Sequence, residues 1–216
     1  MSINYKVQVL GSGMNTTKEH GIFKVPTRCC IIGKPASGKS MLMGNFLMKD
    51  WVPYDRLILC VKSPEQSIYQ YVIKQCEKYN VDVEVFTSPK DLPNIDEFDS
   101  EEPSLIVFDD MMNIKKEAPI ITEFFTRGRN ANISVFYLSQ DFYQIPVSIR
   151  RSSDYFILFG KMNQKDLRLM SQDLSNGLSP DEFKHVYERA TKEKYHFLMV
   201  DMNKGEFWHN LTQRIN

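Results

Sequence analysis

The chain has 216 residues, 42% apolar and 25% charged, the profile of a globular protein long enough for one α/β domain with a sizeable core. Its 27 basic and 27 acidic residues cancel, so no global field draws it to nucleic acid, and any such contact must come from a local patch. No apolar run approaches membrane-spanning length and no signal peptide opens the chain, so the expectation is an intracellular protein with no membrane partner.

Residues 1–25 read as an irregular lead-in punctuated by Gly11, Gly13 and Gly21. Strands and helices then alternate. A buried strand is expected at 28–32 and a helix at 39–49. A second strand covers 56–61, a helix runs from about 65 to 79, and 81–86 alternates like a strand. Residues 91–103 are acidic and proline-punctuated, so they read as a loop. The run 104–108 is wholly apolar after Ser104, as in a central parallel strand. Pro119 suits the start of a helix ending near Arg127. Strands follow at 133–138 and 155–159, and helical patterns begin at Gln164 and Asp181. Residues 195–201 and 206–208 look like a closing hairpin. Alternating β and α implies a mostly parallel sheet with helices on both faces. Cys29, Cys30, Cys60 and Cys76 form no CxxC and are expected as buried thiols in a reducing compartment, and the four histidines show no ligand spacing.

Gly33-Lys34-Pro35-Ala36-Ser37-Gly38-Lys39-Ser40 has the G-x-x-x-x-G-K-S spacing of a phosphate loop. It follows an apolar strand and opens a helix, which is the context that motif needs. Glycines let backbone N–H groups turn inward to a β-phosphate, and the helix N-terminus adds partial positive charge. Lys39 is placed to bridge the β- and γ-phosphates, Ser40 to hold Mg²⁺, and Met41 follows directly in the nucleotide-binding stretch. The cofactors implied are ATP and Mg²⁺.

Leu105-Ile106-Val107-Phe108-Asp109-Asp110 is an apolar strand ending in two carboxylates. The first belongs near the metal, and the second can take a proton from attacking water. The alternative is a solvated turn after a buried strand. Asn203-Lys204-Gly205-Glu206 does not supply the NKxD base-reading motif of a GTPase. The strand at 133–138 ends at Ser139-Gln140, which a parallel sheet would bring beside the phosphate loop, so Gln140 is a candidate γ-phosphate sensor. Arg127 and Arg129 are candidates for an arginine acting on a neighbouring subunit's γ-phosphate, or are helix C-terminal cations. The basic pairs Lys115-Lys116 and Arg150-Arg151 are DNA-contact candidates or solvated faces.

Taken in order, GKPASGKS, LIVFDD and TRGRNANISVFYLSQ resemble the FtsK–HerA superfamily of DNA-pumping ATPases. Within it, the chain resembles the poxvirus-type genome-packaging ATPases of large DNA viruses and virophages, over about residues 26–159. The segment IPVSIRRSSDYFILFG, a proline-linked basic turn before a strand, fits as well. The resemblance implies one RecA/FtsK-like P-loop ATPase domain with an additional strand, over residues 26–216. It also implies a homo-oligomeric ring, a hexamer or pentamer, around double-stranded DNA. Such a ring would translocate a genome into a preformed capsid, with a capsid or portal protein as a further partner and the host cytoplasm as its place of work. By residue it assigns phosphate contact to Lys39, metal to Ser40 and Asp109, base to Asp110 and sensor to Gln140. Arg129, in preference to Arg127, becomes the finger acting in trans. One departure is that Asp110 stands where many relatives have Glu, so it must use a closer water.

Two rivals remain. A small P-loop kinase would account for the size and the phosphate loop but not the paired aspartates, and it predicts ADP release driven by a small molecule. A nucleotide-switched assembly protein predicts slow turnover indifferent to DNA. The chain is too short for the second lobe of a two-lobed helicase, and no signature loop of an ABC-type ATPase precedes the acidic strand.

Overall fold

A computed structural model describes residues 22–49, 51–111 and 117–215. Its centre is a nine-stranded sheet in the order β3-β2-β4-β5-β1-β6-β7-β8-β9. The first six strands are β1 (Arg28–Ile32), β2 (Arg56–Val61), β3 (Asp82–Phe86), β4 (Ser104–Asp109), β5 (Ile133–Ser139) and β6 (Tyr155–Phe159), all mutually parallel. The run continues antiparallel with β7 (Phe197–Asp201), β8 (Glu206–His209) and β9 (Gln213–Ile215). Strands β1, β4, β5 and β6 carry almost nothing but apolar and aromatic residues because both faces of a parallel sheet are covered.

The period of two along each strand divides the core. Cys29 and Ile31 of β1 point to one side with Leu57, Leu59 and Phe136, and there they meet helices α1 (Lys39–Met48) and α2 (Ser67–Lys78) through Leu42, Met43, Phe46, Tyr69 and Val72. Cys30 and Ile32 point to the other side. That face packs on α3 (Ala118–Arg127), α4 (Val147–Ser152), α5 (Gln164–Leu174) and α6 (Pro180–Ala190), through Phe124, Ile149, Met170 and Phe183. All four cysteines are free and buried, as expected. Burial pushes the Cys30 and Cys60 thiols up to about 12.

Two elements differ from the sequence reading. The basic segment after Pro146 is a short helix, α4, and the closing hairpin gains a third strand, β9. The hairpin itself forms, with Asp201 Oδ1 accepting from the N–H groups of Asn203 and Lys204 and Gly205 at φ 69° completing the turn. Phe23, inside the expected lead-in, is buried edge-on against Phe46 and Tyr155 at centroid distances of 5.3 and 5.0 Å. The rest of the lead-in up to residue 21 lies outside the described residues, as do Lys115 and Lys116. No helix among the described residues is long and apolar enough to cross a membrane.

Candidate nucleotide site

The strand order of the sheet puts β5 between β1 and β4, so three parallel strands end side by side. Ile32 lies beside Ser139, and Leu138 beside Asp109. The phosphate loop, the acidic pair and Gln140 therefore share the C-terminal edge of the sheet, where α/β folds place their ligands. The Gly33 N–H donates to the Ser139 carbonyl at 3.1 Å and ties loop to strand.

The loop can close only with small residues at defined points. A side chain on Gly33 would begin 2.5 Å from Ser37 Oγ and 2.8 Å from Phe159 Cβ. Gly38, at φ 110°, makes the turn into α1, and Ala36 sits at φ 60°. Ser37 Oγ is buried and has no hydrogen-bond partner among the described residues, an orphaned donor inside a backbone cradle. A cradle of turned-in N–H groups at a helix N-terminus, with an extra hydroxyl to satisfy, suits a phosphate.

Lys39 is the buried cation of the cradle. Its Nζ donates to the carbonyls of Gly33 at 2.7 Å and Lys34 at 3.3 Å. Burial lowers its pKa, and the charges of Asp109 and Asp110 work against that fall. Ser40 Oγ donates to Asp109 Oδ2 at 3.3 Å, so the two oxygen donors able to hold a metal ion here stand together. Burial raises the pKa of Asp109 against hydrogen bonding from Tyr69 and the charge of Lys39. Asp110 has left-handed backbone at φ 59°, a region that aspartate and asparagine enter more readily than other residues with side chains. Gln140 Nε2 donates to Asp110 Oδ1 at 3.4 Å.

Tyr69 is the member of this cluster that sequence reasoning missed. Its side chain is buried, and its hydroxyl donates a short hydrogen bond to Asp109 Oδ2. Burial and then the neighbouring Asp109 charge raise its pKa, so it stays a donor. Tyr69, Val72 and Cys76 form the buried stripe of α2, and a tyrosine on such a stripe reads as core. Only the strand order reveals its role: β2 pairs with β4 so that Val61 lies beside Asp109, and the helix after β2 starts at the same edge.

The arginines are not in this cluster. Arg127 and Arg129 lie before the start of β5, whereas Gln140 follows its end, and seven strand residues separate them by ~20 Å. Both terminal nitrogens of Arg127 are engaged, one by Glu123 and one by Asp96. Arg129 touches Asp154 through Nη2 alone, at 2.9 Å, and is 41% exposed. Arg150 pairs with Asp173 and lies 4.8 Å from the Phe142 ring, so it is held by the fold, while Arg151 is exposed.

The family described as Poxvirus A32 protein matches residues 15–203. No curated protein matches the chain. Among solved structures, the fold is similar to the genome packaging NTPase B204 of Sulfolobus turreted icosahedral virus 2 in complex with AMP, at TM-score 0.62 and 19% identity over 85% of this chain and 96% of that one. The DNA-packaging ATPase B204 from Sulfolobus Turreted Icosahedral Virus gives TM-score 0.60 and 17% identity over 86% and 97%. VirB4 of Thermoanaerobacter pseudethanolicus gives 0.54 and 13% over 87% and 88%.

Proposed function

From the premise that the chain belongs to the poxvirus A32 protein family, we propose that it is an ATP-hydrolysing motor that drives double-stranded DNA into a preformed capsid. The observation that carries this reading is the convergence of Lys39, Ser40, Asp109, Asp110 and Gln140 on the ends of three adjacent parallel strands. The fold shared with DNA-packaging ATPases supports it.

The residues divide the work. Loop N–H groups and the α1 N-terminus hold the β-phosphate. The Lys39 ammonium, now on the Gly33 and Lys34 carbonyls, exchanges those acceptors for β- and γ-phosphate oxygens. Ser40 and Asp109 would hold Mg²⁺, two hard oxygen donors being the protein's share of a site otherwise filled by phosphate and water. When bound, that ion neutralises charge developing on the phosphate oxygens. Asp110 takes the proton of the attacking water, and the Gln140 amide, which donates to Asp110, orients the pair and senses the γ-phosphate. Arg129 completes the site of a neighbour in a homo-oligomeric ring, hexamer or pentamer, with Nε and Nη1 not used in its contact with Asp154. A capsid or portal protein anchors the ring, and packaging takes place in the host cytoplasm.

The test is ATP hydrolysis at low salt with and without random-sequence duplex DNA, beside a native mass measurement. DNA-stimulated hydrolysis by an oligomer is expected. Release of ADP driven by a small-molecule acceptor, with DNA inert, would replace the motor by a kinase. Slow turnover indifferent to DNA would replace it by a nucleotide-switched assembly protein.

A further inference from the structure

A cleft of about 330 Å³ opens beside the phosphate loop, on the side away from Asp109 and Asp110. Lys34, Pro35 and Ser37 form one wall, and Phe159, Thr191 and Tyr195 the other. We propose that this cleft holds the nucleoside of the bound nucleotide and that the Tyr195 ring is the surface on which its base stacks. The inference rests on the phosphate-loop reading above and extends it.

Three observations lead there. The γ-phosphate end of the site is fixed by Lys39, the acidic pair and Gln140, all toward β5 and β4. A triphosphate threaded through the loop must bring its nucleoside out on the other flank of β1, where β6 and β7 lie. The cleft is on that flank, formed by the loop and the segments that end β6 and precede β7. Its volume falls within the usual range for a small-ligand pocket.

Tyr195 is also set in an unusual backbone conformation at the mouth of the cleft. It is 50% exposed and has left-handed backbone at φ 70°, where a bulky residue is strained. Its ring edge stands 3.3 Å from the point where a side chain on Gly38 would begin, so it leans over the first turn of α1. Lys194 Nζ lies 4.6 Å from the ring centre. Gly160 fixes the far wall, because any side chain there would meet the Thr191 carbonyl at 3.1 Å. Lys161, Lys192, Glu193 and Lys194 also line the cleft, and all four are exposed. The aromatic face, which every base can use, is the contact the proposal relies on, so ATP and GTP are expected to bind alike.

The experiment is calorimetric titration of the whole chain with ATP, GTP and inorganic tripolyphosphate in Mg²⁺ buffer, for the wild type, Lys39→Ala, Tyr195→Phe and Tyr195→Asn. Asparagine tolerates the positive φ, so it removes the ring without straining the backbone. Tyr195→Asn should weaken ATP about tenfold and leave tripolyphosphate unchanged, with Tyr195→Phe within about twofold of wild type. Wild-type ATP and GTP affinities should agree within about tenfold, the mark of stacking without an edge-reading hydrogen bond. Unchanged ATP affinity in Tyr195→Asn, with tripolyphosphate still bound, overturns the proposal and leaves the phosphate loop standing. A parallel loss of ATP and tripolyphosphate in that variant overturns it too, since the ring would then act through the loop. ATP preferred over GTP by more than about 100-fold overturns recognition by stacking. Tripolyphosphate bound equally by Lys39→Ala and wild type removes the phosphate-loop reading itself.

Discussion

Asp109 receives hydrogen bonds from Ser40 and Tyr69 on the same oxygen, Oδ2, and the two donors hold its carboxylate in place. Tyr69→Phe removes the donor and keeps the packing. A hydrogen bond to a charged group contributes about 1.5 kcal/mol, so the Mg²⁺ concentration for half-maximal hydrolysis should rise about tenfold. Metal-free binding of a fluorescent ATP analogue should stay at the wild-type level; an unchanged Mg²⁺ requirement would reduce Tyr69 to a core residue. Two other substitutions separate binding from chemistry. Lys39→Ala should abolish turnover and weaken nucleotide binding, because the buried ammonium is the loop's one lysine donating hydrogen bonds into it among the described residues. Asp110→Asn should bind ATP normally and lose hydrolysis, since an amide cannot accept the proton. Wild-type turnover in either variant would refute the assignment. The phosphate-loop residues and both aspartates were legible in the sequence because their spacing is local. Tyr69 and the Tyr195 cleft were not, because each acquires its place only when strands distant in sequence become neighbours.

At the scale of elements, the start of β6 is fastened to the start of β1 by one buried carboxylate. Asp154 accepts from Arg28 N, Nε and Nη2 and from Arg129 Nη2, and the Asp154 N–H donates to the Arg28 carbonyl. Burial alone would raise the Asp154 pKa, but the hydrogen bonds and charge of Arg28, then Arg129, outweigh it and hold the carboxyl below its ordinary value. A depressed native pKa means that the unfolded chain takes up the proton first as pH falls. The contribution of Asp154 is thus complete above the ordinary carboxylate range and lost as pH drops through the native value. Asp154→Asn should cost about 3 kcal/mol of unfolding free energy at pH 7, the range for breaking a buried pair, and its gap to wild type should narrow steadily below pH ~4. Urea unfolding at several pH values measures this; a gap independent of pH would mean that packing, not charge, sets the loss. Strands β1, β2 and β6 were legible to the residue because buried parallel strands are short unbroken apolar runs. Helix α4 was not, since Ile149 is its one buried residue and no period can emerge. Three residues with one buried side chain left β9 equally unmarked.

Whole-molecule architecture decides what the arginines can do. Gln140 follows one end of β5 and Arg129 precedes the other, ~20 Å away, so neither Arg127 nor Arg129 can serve the phosphate loop of its own chain. If an arginine completes the site, as in the proposed motor, it comes from another copy of the chain. Arg129 is the better placed, with one nitrogen braced on Asp154 and the remainder exposed, whereas Arg127 has both ends occupied. The consequence is tested by mixing two inactive proteins. Arg129→Ala keeps an intact phosphate loop but offers its neighbour no finger, and Lys39→Ala keeps the finger but cannot hold ATP productively. Each alone should hydrolyse ATP at least about 10³-fold more slowly than wild type, the scale of an arginine finger. In a mixed ring, some interfaces place an intact loop against an intact finger, so hydrolysis should return and peak near equal proportions. Arg127→Ala mixed in the same way serves as the control, active on its own because its arginine is committed to Glu123 and Asp96. Full-rate hydrolysis by a dilute monomer, or no recovery in a mixture that native mass shows to contain both variants, would dismiss Arg129 as the shared residue and confine its role to the pair with Asp154.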